Sequence, residues 1–215
     1  MSIQENIKRI KNQIPDSVKL VAATKTRTPE EINEAINAGV IAIGENYVQE
    51  ALQKYEKIDH SIELHLLGHL QKNKINKALQ IFDYIQSVDS FELAEGINKR
   101  AQKIIPVFIE VNIAGEDTKF GLKKEELVDL LKMISKLEKI RVEGLMTMPY
   151  FDNPEDARPY FKEMKLLFEK IKSMNIPNVT MKYLSMGMTN DYKIAIEEGG
   201  NMIRIGTGIF GPRHY

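Results

Sequence analysis

Lys19-Leu-Val-Ala-Ala-Thr-Lys25, followed by Thr26-Arg-Thr and then Pro29-Glu-Glu-Ile-Asn-Glu-Ala-Ile-Asn-Ala-Gly39, decides the fold. The first run is apolar and small-residued and ends in turn formers, which predicts a strand. The second has Thr28 as N-cap, proline at its first helical position and Gly39 as a stop, which predicts a helix. A new apolar run opens at Val40, so strand, loop, helix and loop together make one repeating unit.

The unit recurs outward from there. Strands are predicted at Lys19–Lys25, Val40–Asn46, Ile62–Gly68, Asp83–Asp89, Ile105–Asn112, Ile140–Met148, Tyr183–Met188 and Met202–Gly208. The first five start about 21 or 22 residues apart. Helical patterns lie between them: Ser90 can cap Phe91–Lys103, and Lys123–Leu137 and Pro154–Met174 carry apolar stripes at helical spacing. A further helix, about Ser2 to Gln13, precedes the first strand. Strands separated by helices pair in parallel, because parallel neighbours need a crossover connection. Eight of them predict an α/β (β/α)8 TIM barrel with an extra N-terminal helix, a single domain over 1–215. The competitor is an open doubly wound sheet, which usually carries a glycine-rich dinucleotide turn after an early strand; none is present.

Bulk properties narrow the function. Thirty basic residues balance thirty acidic ones with no long basic run, so no nucleic-acid footprint is expected. The absence of cysteine excludes disulfides, thiolate metal sites and cysteine nucleophiles. The N-terminus is too polar for a signal peptide, and no apolar run reaches the roughly 18 residues of a membrane span. A cytoplasmic protein, off the membrane and monomeric, is the expectation. His65 and His69 stand four apart, but across a strand and its following loop that spacing does not bring both rings to one ion, so no metal site is expected.

In such a barrel the site forms where strands end. Period-2 alternation puts Val21, Ala23 and Lys25 on one face. A lysine that shares its face with Val and Ala ends in a partly dry place, where desolvation favours the neutral, nucleophilic amine. A lysine at a strand end can equally extend its head to water. Barrels frequently bind phosphate with the loops after strands seven and eight, where glycines let backbone N–H groups reach the anion. Ser185 and Gly187 on one side, with Gly206 and Thr207 on the other, supply such groups. Arg204 shares the face of Met202 and Gly206, on the strand next to that of Lys25. The two charges need compensation, from a bound ligand or from a salt bridge to Glu45 or Glu110. A Schiff-base lysine, a phosphate cup and a nearby arginine together describe a pyridoxal 5′-phosphate site. A Schiff-base aldolase acting on a phosphorylated sugar uses a similar set, but its lysine usually sits on a later strand.

Ordered blocks along the whole chain then give a resemblance. Val21-Ala-Ala-Thr-Lys25, Gly44-Glu-Asn-Tyr-Val-Gln-Glu50, His65-Leu-Leu-Gly-His-Leu-Gln-Lys-Asn-Lys74, Phe120-Gly121, Gly144-Leu-Met-Thr-Met148, Leu184-Ser-Met-Gly-Met188 with Asp191, and Arg204-Ile-Gly-Thr207 with Phe210-Gly211 resemble the pyridoxal phosphate homeostasis (YggS/PROSC) family. Gln86 stands where a histidine is common. The resemblance implies a barrel like the N-terminal domain of alanine racemase, with pyridoxal phosphate as a Schiff base on Lys25. It implies phosphate contacts from Ser185, Met186, Gly206 and Thr207, Asn46 and Met146 lining the cofactor, and Arg204 towards the pyridine nitrogen. It further implies a non-catalytic carrier or buffer of the cofactor, with pyridoxal-phosphate-dependent enzymes as recipients. The runner-up is a weak amino-acid racemase. Only Ile209-Phe-Gly-Pro-Arg-His-Tyr215 follows the last strand, which leaves no second domain to carry the tyrosine base of alanine racemases, so fast racemisation is not expected.

Overall fold

The structure, a computed structural model, describes residues 1–116 and 119–212. Eight parallel strands close in sequence order into a TIM barrel: β1 (Lys19–Ala23), β2 (Ala42–Glu45), β3 (Glu63–Leu66), β4 (Tyr84–Val88), β5 (Ile105–Glu110), β6 (Ile140–Met146), β7 (Val179–Ser185) and β8 (Met202–Ile205). Helix α1 (Ile3–Lys11) precedes β1, and helices α2 (Pro29–Asn37) to α8 (Tyr192–Glu197) fill the crossovers, with the short α9 (Thr207–Phe210) after β8. Thr28 caps α2 in a reciprocal capping box with Glu31, and Ser90 caps α5 (Phe91–Arg100), as the sequence predicts.

Alternation along β1 sorts its residues between two cores. Leu20 and Ala22 belong to the large apolar layer between sheet and helices, whereas Val21 joins Ala42, Phe108, Met146 and Met202 inside the barrel. The lumen is thus a packed plug and not a pore. Closure joins β1 to β8 through four paired positions, Lys19 with Met202 to Ala22 with Ile205. Contacts outside the sheet reinforce this seam. The Asn6 side-chain amide donates to the Ile209 carbonyl at 2.9 Å, and Arg27 donates to the carbonyls of Phe210, Gly211 and Pro212.

Seven strands fall inside their predicted bounds and are shorter than predicted, whereas β7 extends outside its own. β7 begins at Val179 and ends at Ser185, so the segment after Ser185 is loop and not strand. The cause is irregular pairing: Val142 pairs with Val179 but Gly144 pairs with Tyr183, so β7 carries two extra residues over that span. Beyond Ser185 the chain turns at Gly187, whose φ of +91° suits glycine and whose missing Cβ would lie 2.6 Å from the Ala195 methyl. β8 likewise stops at Ile205, and the predicted strand end becomes the first turn of α9. Arg213, His214 and Tyr215, part of the predicted tail and of the predicted 1–215 domain, lie outside the described residues.

Candidate functional site

Lys25 sits two residues past the end of β1, and the main chain on both sides of it is tied down. The Lys54 ammonium, buried on α3 (Val48–Tyr55), donates to the Thr24 carbonyl at 2.9 Å, to Glu45 at 3.0 Å and to Glu50 at 2.6 Å. Glu50 in turn accepts the Thr26 N–H at 2.5 Å, and Thr26 holds a φ of +66°, a left-handed conformation that costs a β-branched residue energy. The Thr24 hydroxyl donates to Glu45 at 2.7 Å. Burial pushes the Glu45 carboxyl up, against the pull of Lys54 and Thr24. Glu45 is thus salt-bridged to Lys54.

Arg204, 3% exposed, is held at two points: its Nη1 donates to Ser185 Oγ at 2.5 Å and its Nη2 to the Thr147 carbonyl at 2.7 Å. Burial pushes its guanidinium down to about 10, opposed by Asp191 and Glu110, so it stays charged at neutral pH. Glu110, at the end of β5, is 5% exposed, and its Oε2 is buried without a hydrogen-bond partner. Burial, assisted by Asp89, pushes it up to about 7 although Arg204 pulls it down.

Lys25 and Arg204 line one cavity of about 290 Å³ at the C-terminal mouth of the barrel, near the small end of ordinary ligand pockets. Asn46, Gly206 and Thr207 line it too, so five of the sequence-predicted residues come together. Thr189 and Asn190 complete the wall around Thr207, whose hydroxyl donates to that of Thr189 at 3.1 Å. Ala23, Leu67 and Met148 supply an apolar side.

Three predicted residues lie elsewhere. Met146 is fully buried in the lumen plug, Met186 is buried in the layer facing the helices, and Ser185 lies inside the barrel, bonded to Arg204 and Gln86. Met146 and Ser185 are register neighbours, one pleat below the mouth; Met148, two residues further on, reaches the cavity instead. Met186, the next residue after Ser185, turns outward. Tyr150 and Phe151, from the loop after β6, and Pro154 and Ala157, from the 3-10 turn that follows it, also close the cavity, and the sequence pattern does not point to them. Alternation cannot find such residues, and the aromatic rings of Tyr150 and Phe151 were the only signal. Among the described residues, no three or more His, Asp or Glu side chains are placed to hold a metal ion. His65 lies in the lumen, while His69 stacks on Phe120 at 4.3 Å and sits 3.6 Å from Asp89. No helix among the described residues is long and apolar enough to cross a membrane.

The family profile of the alanine racemase N-terminal domain matches residues 1–214. The pyridoxal phosphate homeostasis protein of Aquifex aeolicus is 45% identical over 202 residues, 92% of this chain and 88% of its own length. Its Escherichia coli K12 counterpart is 34% identical over 210 residues, 94% of this chain and 88% of its own length. The solved structure of PipY from Synechococcus elongatus with pyridoxal phosphate bound superposes with a TM-score of 0.90 at 32% identity, over 98% of this chain and 100% of that one. A Clostridium difficile alanine racemase shares the fold alone, with a TM-score of 0.85 at 18% identity over 57% of its length. The chain belongs to the alanine racemase N-terminal domain family and, within it, to the pyridoxal phosphate homeostasis proteins.

Proposed function

We propose that this chain binds pyridoxal 5′-phosphate in the mouth cavity and carries or buffers it for pyridoxal-phosphate-dependent enzymes. The observation that carries the reading is the convergence of Lys25 and Arg204 on one cavity, in a chain 32% identical to a protein solved with that cofactor. The donor set fits the group: an amine for the aldehyde, a charged guanidinium for the ring nitrogen, and hydroxyl and backbone groups of Thr189, Gly206 and Thr207 for the phosphate. When bound, the cofactor supplies an aldehyde for reversible covalent attachment and a ring that accepts electron density. In this reading Lys25 makes the attachment as a Schiff base, Asn46 orients the bound group, and Tyr150 and Phe151 limit water at the mouth. Arg204 presents N–H donors where a carboxylate would deliver a proton to the ring nitrogen, which suits holding the cofactor better than driving carbanion chemistry.

The experiment is an absorption spectrum of purified protein incubated with the cofactor, before and after borohydride, for wild type and Lys25→Ala. A bound band that borohydride removes in wild type, absent from the variant, is expected. Absence of the band from both, or its survival in the variant, overturns the reading.

Glu110 favours a second reading, an enzyme with weak amino-acid activity: a buried carboxyl that titrates near neutrality beside Arg204 can take or give a proton. Amino-acid turnover of around 1 per second or more that depends on both Lys25 and Glu110 would establish it.

A further inference from the structure

Beneath the cavity, side chains of five strands cross the barrel in single file. Arg204 on β8 donates to Ser185 Oγ on β7 at 2.5 Å, and Ser185 donates to Gln86 Oε1 on β4 at 2.7 Å. Gln86 Nε2 lies 2.8 Å from His65 Nδ1 on β3, and His65 Nε2 lies 3.0 Å from Glu63 Oε2. Glu63 closes the file at the opposite pole, paired at 2.8 Å with Lys19 of β1. Ser185, Gln86 and His65 are all fully buried.

The two ends fix the direction of every bond between them. A guanidinium only donates, so Ser185 accepts from Arg204 and gives its single hydrogen to the Gln86 carbonyl oxygen. At the other end Glu63 is a carboxylate: the His65 hydrogen bond, with Lys19 beside it, holds it down at about 2 in spite of partial burial. His65 must therefore present N–H at Nε2. Burial pushes the imidazole down and keeps it neutral, so its one proton is on Nε2 and its Nδ1 accepts from the Gln86 amide. Each donor consequently points away from Arg204 and towards Glu63. Such aligned bonds polarise one another. Arg204 is a buried cation whose hydrogen bonds go to a hydroxyl and a carbonyl, while Asp191 and Glu110 act on it only through space. A buried charge requires compensation, and the file supplies a path to a carboxylate.

We propose that Ser185, Gln86, His65 and Glu63 are positioning residues for Arg204. They hold the plane of its guanidinium and offset its charge from the far end of the barrel, so that a change at the floor is felt in the cavity. The relay is a property of the chain itself; only its effect on a bound cofactor rests on the pyridoxal phosphate reading.

The test has two arms. In cofactor-free, ¹⁵N-labelled protein, NMR reads the His65 tautomer and the Arg204 guanidinium signals. Wild type is expected to carry its His65 proton on Nε2 and to show slowed rotation of the Arg204 Nη groups. Ser185→Ala and Gln86→Leu are expected to free that rotation, Ser185→Thr to preserve it, and Glu63→Gln to shift the Arg204 signals from across the barrel. In the loaded protein, Gln86→Leu is expected to weaken cofactor binding about tenfold. Glu63→Gln is expected to move the absorption maximum of the bound cofactor. A His65 proton on Nδ1 overturns the proposal, as do Arg204 signals unchanged in folded Gln86→Leu. If Gln86→Leu does not fold, the wild-type tautomer and the Glu63→Gln shift decide. If wild type binds no cofactor, the pyridoxal reading falls while the first arm still judges the relay.

Discussion

Lys19 and Lys25 stand six residues apart on one strand and its extension, on the same face, at opposite poles of the barrel. At the floor, Lys19 pairs with Glu63 at 2.8 Å and lies over the Tyr183 ring at 4.8 Å. Burial pulls its ammonium down, but Glu63 and Tyr183 more than restore it, and the net shift is upward. At the mouth, Glu45 is salt-bridged to Lys54, and Lys25 lines a cavity. The same side chain is a structural cation where its neighbours are a carboxylate and rings. It is a candidate nucleophile where its neighbours enclose space. Residue type and strand position do not separate these roles; what the opposite strands present does.

The largest test of that contrast is Lys25→Ala against Lys19→Met. The first should abolish borohydride-trapped cofactor entirely, read by intact-protein mass, while the second should leave trapping intact. Trapped cofactor lost equally in both would break the distinction between the poles.

Glu110 should show that the mouth is the less stable pole. In the unfolded chain this carboxyl loses its proton near 4.5, but in the folded protein near 7. Between those values the folded state keeps a proton that the unfolded chain has released, so stability falls as pH rises through that window. Glu110→Gln should flatten this slope and be more stable than wild type at pH 8, by up to about 3 kcal/mol, in urea titrations at a series of pH values. Parallel wild-type and variant profiles would refute it.

Arg204→Met comes next: losing a charged donor should weaken cofactor binding roughly 10- to 100-fold by equilibrium titration, from about 1.5–3 kcal/mol. An unchanged dissociation constant would remove the guanidinium from the site. Smallest is the stability cost of Lys19→Met, about 1 kcal/mol or less, because the pair with Glu63 is partly open to solvent. A midpoint shift much larger than that would mean that the floor pair supports more of the lumen than its own contact.

The first βα unit was legible because each of its signals is local: a capped helix, a glycine stop and an apolar run with alternation. That alternation also brought Lys25 and Arg204 to one cavity, since counting by two along β1 and β8 needs no knowledge of their neighbours. β7 was misread because the two extra residues between its pairings with Val142 and Gly144 shift the pattern, and no local signal announces them. Ser185 and Met146 fall one pleat below the cavity for a related reason. Sequence gives the face of a strand more readily than the height along it, and one pleat separates lumen from mouth. The file from Arg204 to Glu63 was invisible, because its partners lie 19, 99 and 21 positions apart before the last two-residue step. In the sequence, Gln86 stands out only as a glutamine where a histidine is common, and His65 only as one of two histidines four apart.

The seam between β1 and β8 has a consequence in time. Lys25 and Asn46 arrive early from the ribosome, while Arg204, Gly206 and Thr207 arrive some 160 to 180 residues later. Contacts so far apart in the chain form late, after the loop between them has been ordered. The cavity has no half-built version: until β8 docks on β1, the amine and the guanidinium do not share a wall. A nascent or nicked chain that has lost the last strand would leave free aldehyde in solution, and uptake of cofactor would report the moment at which the ring closes.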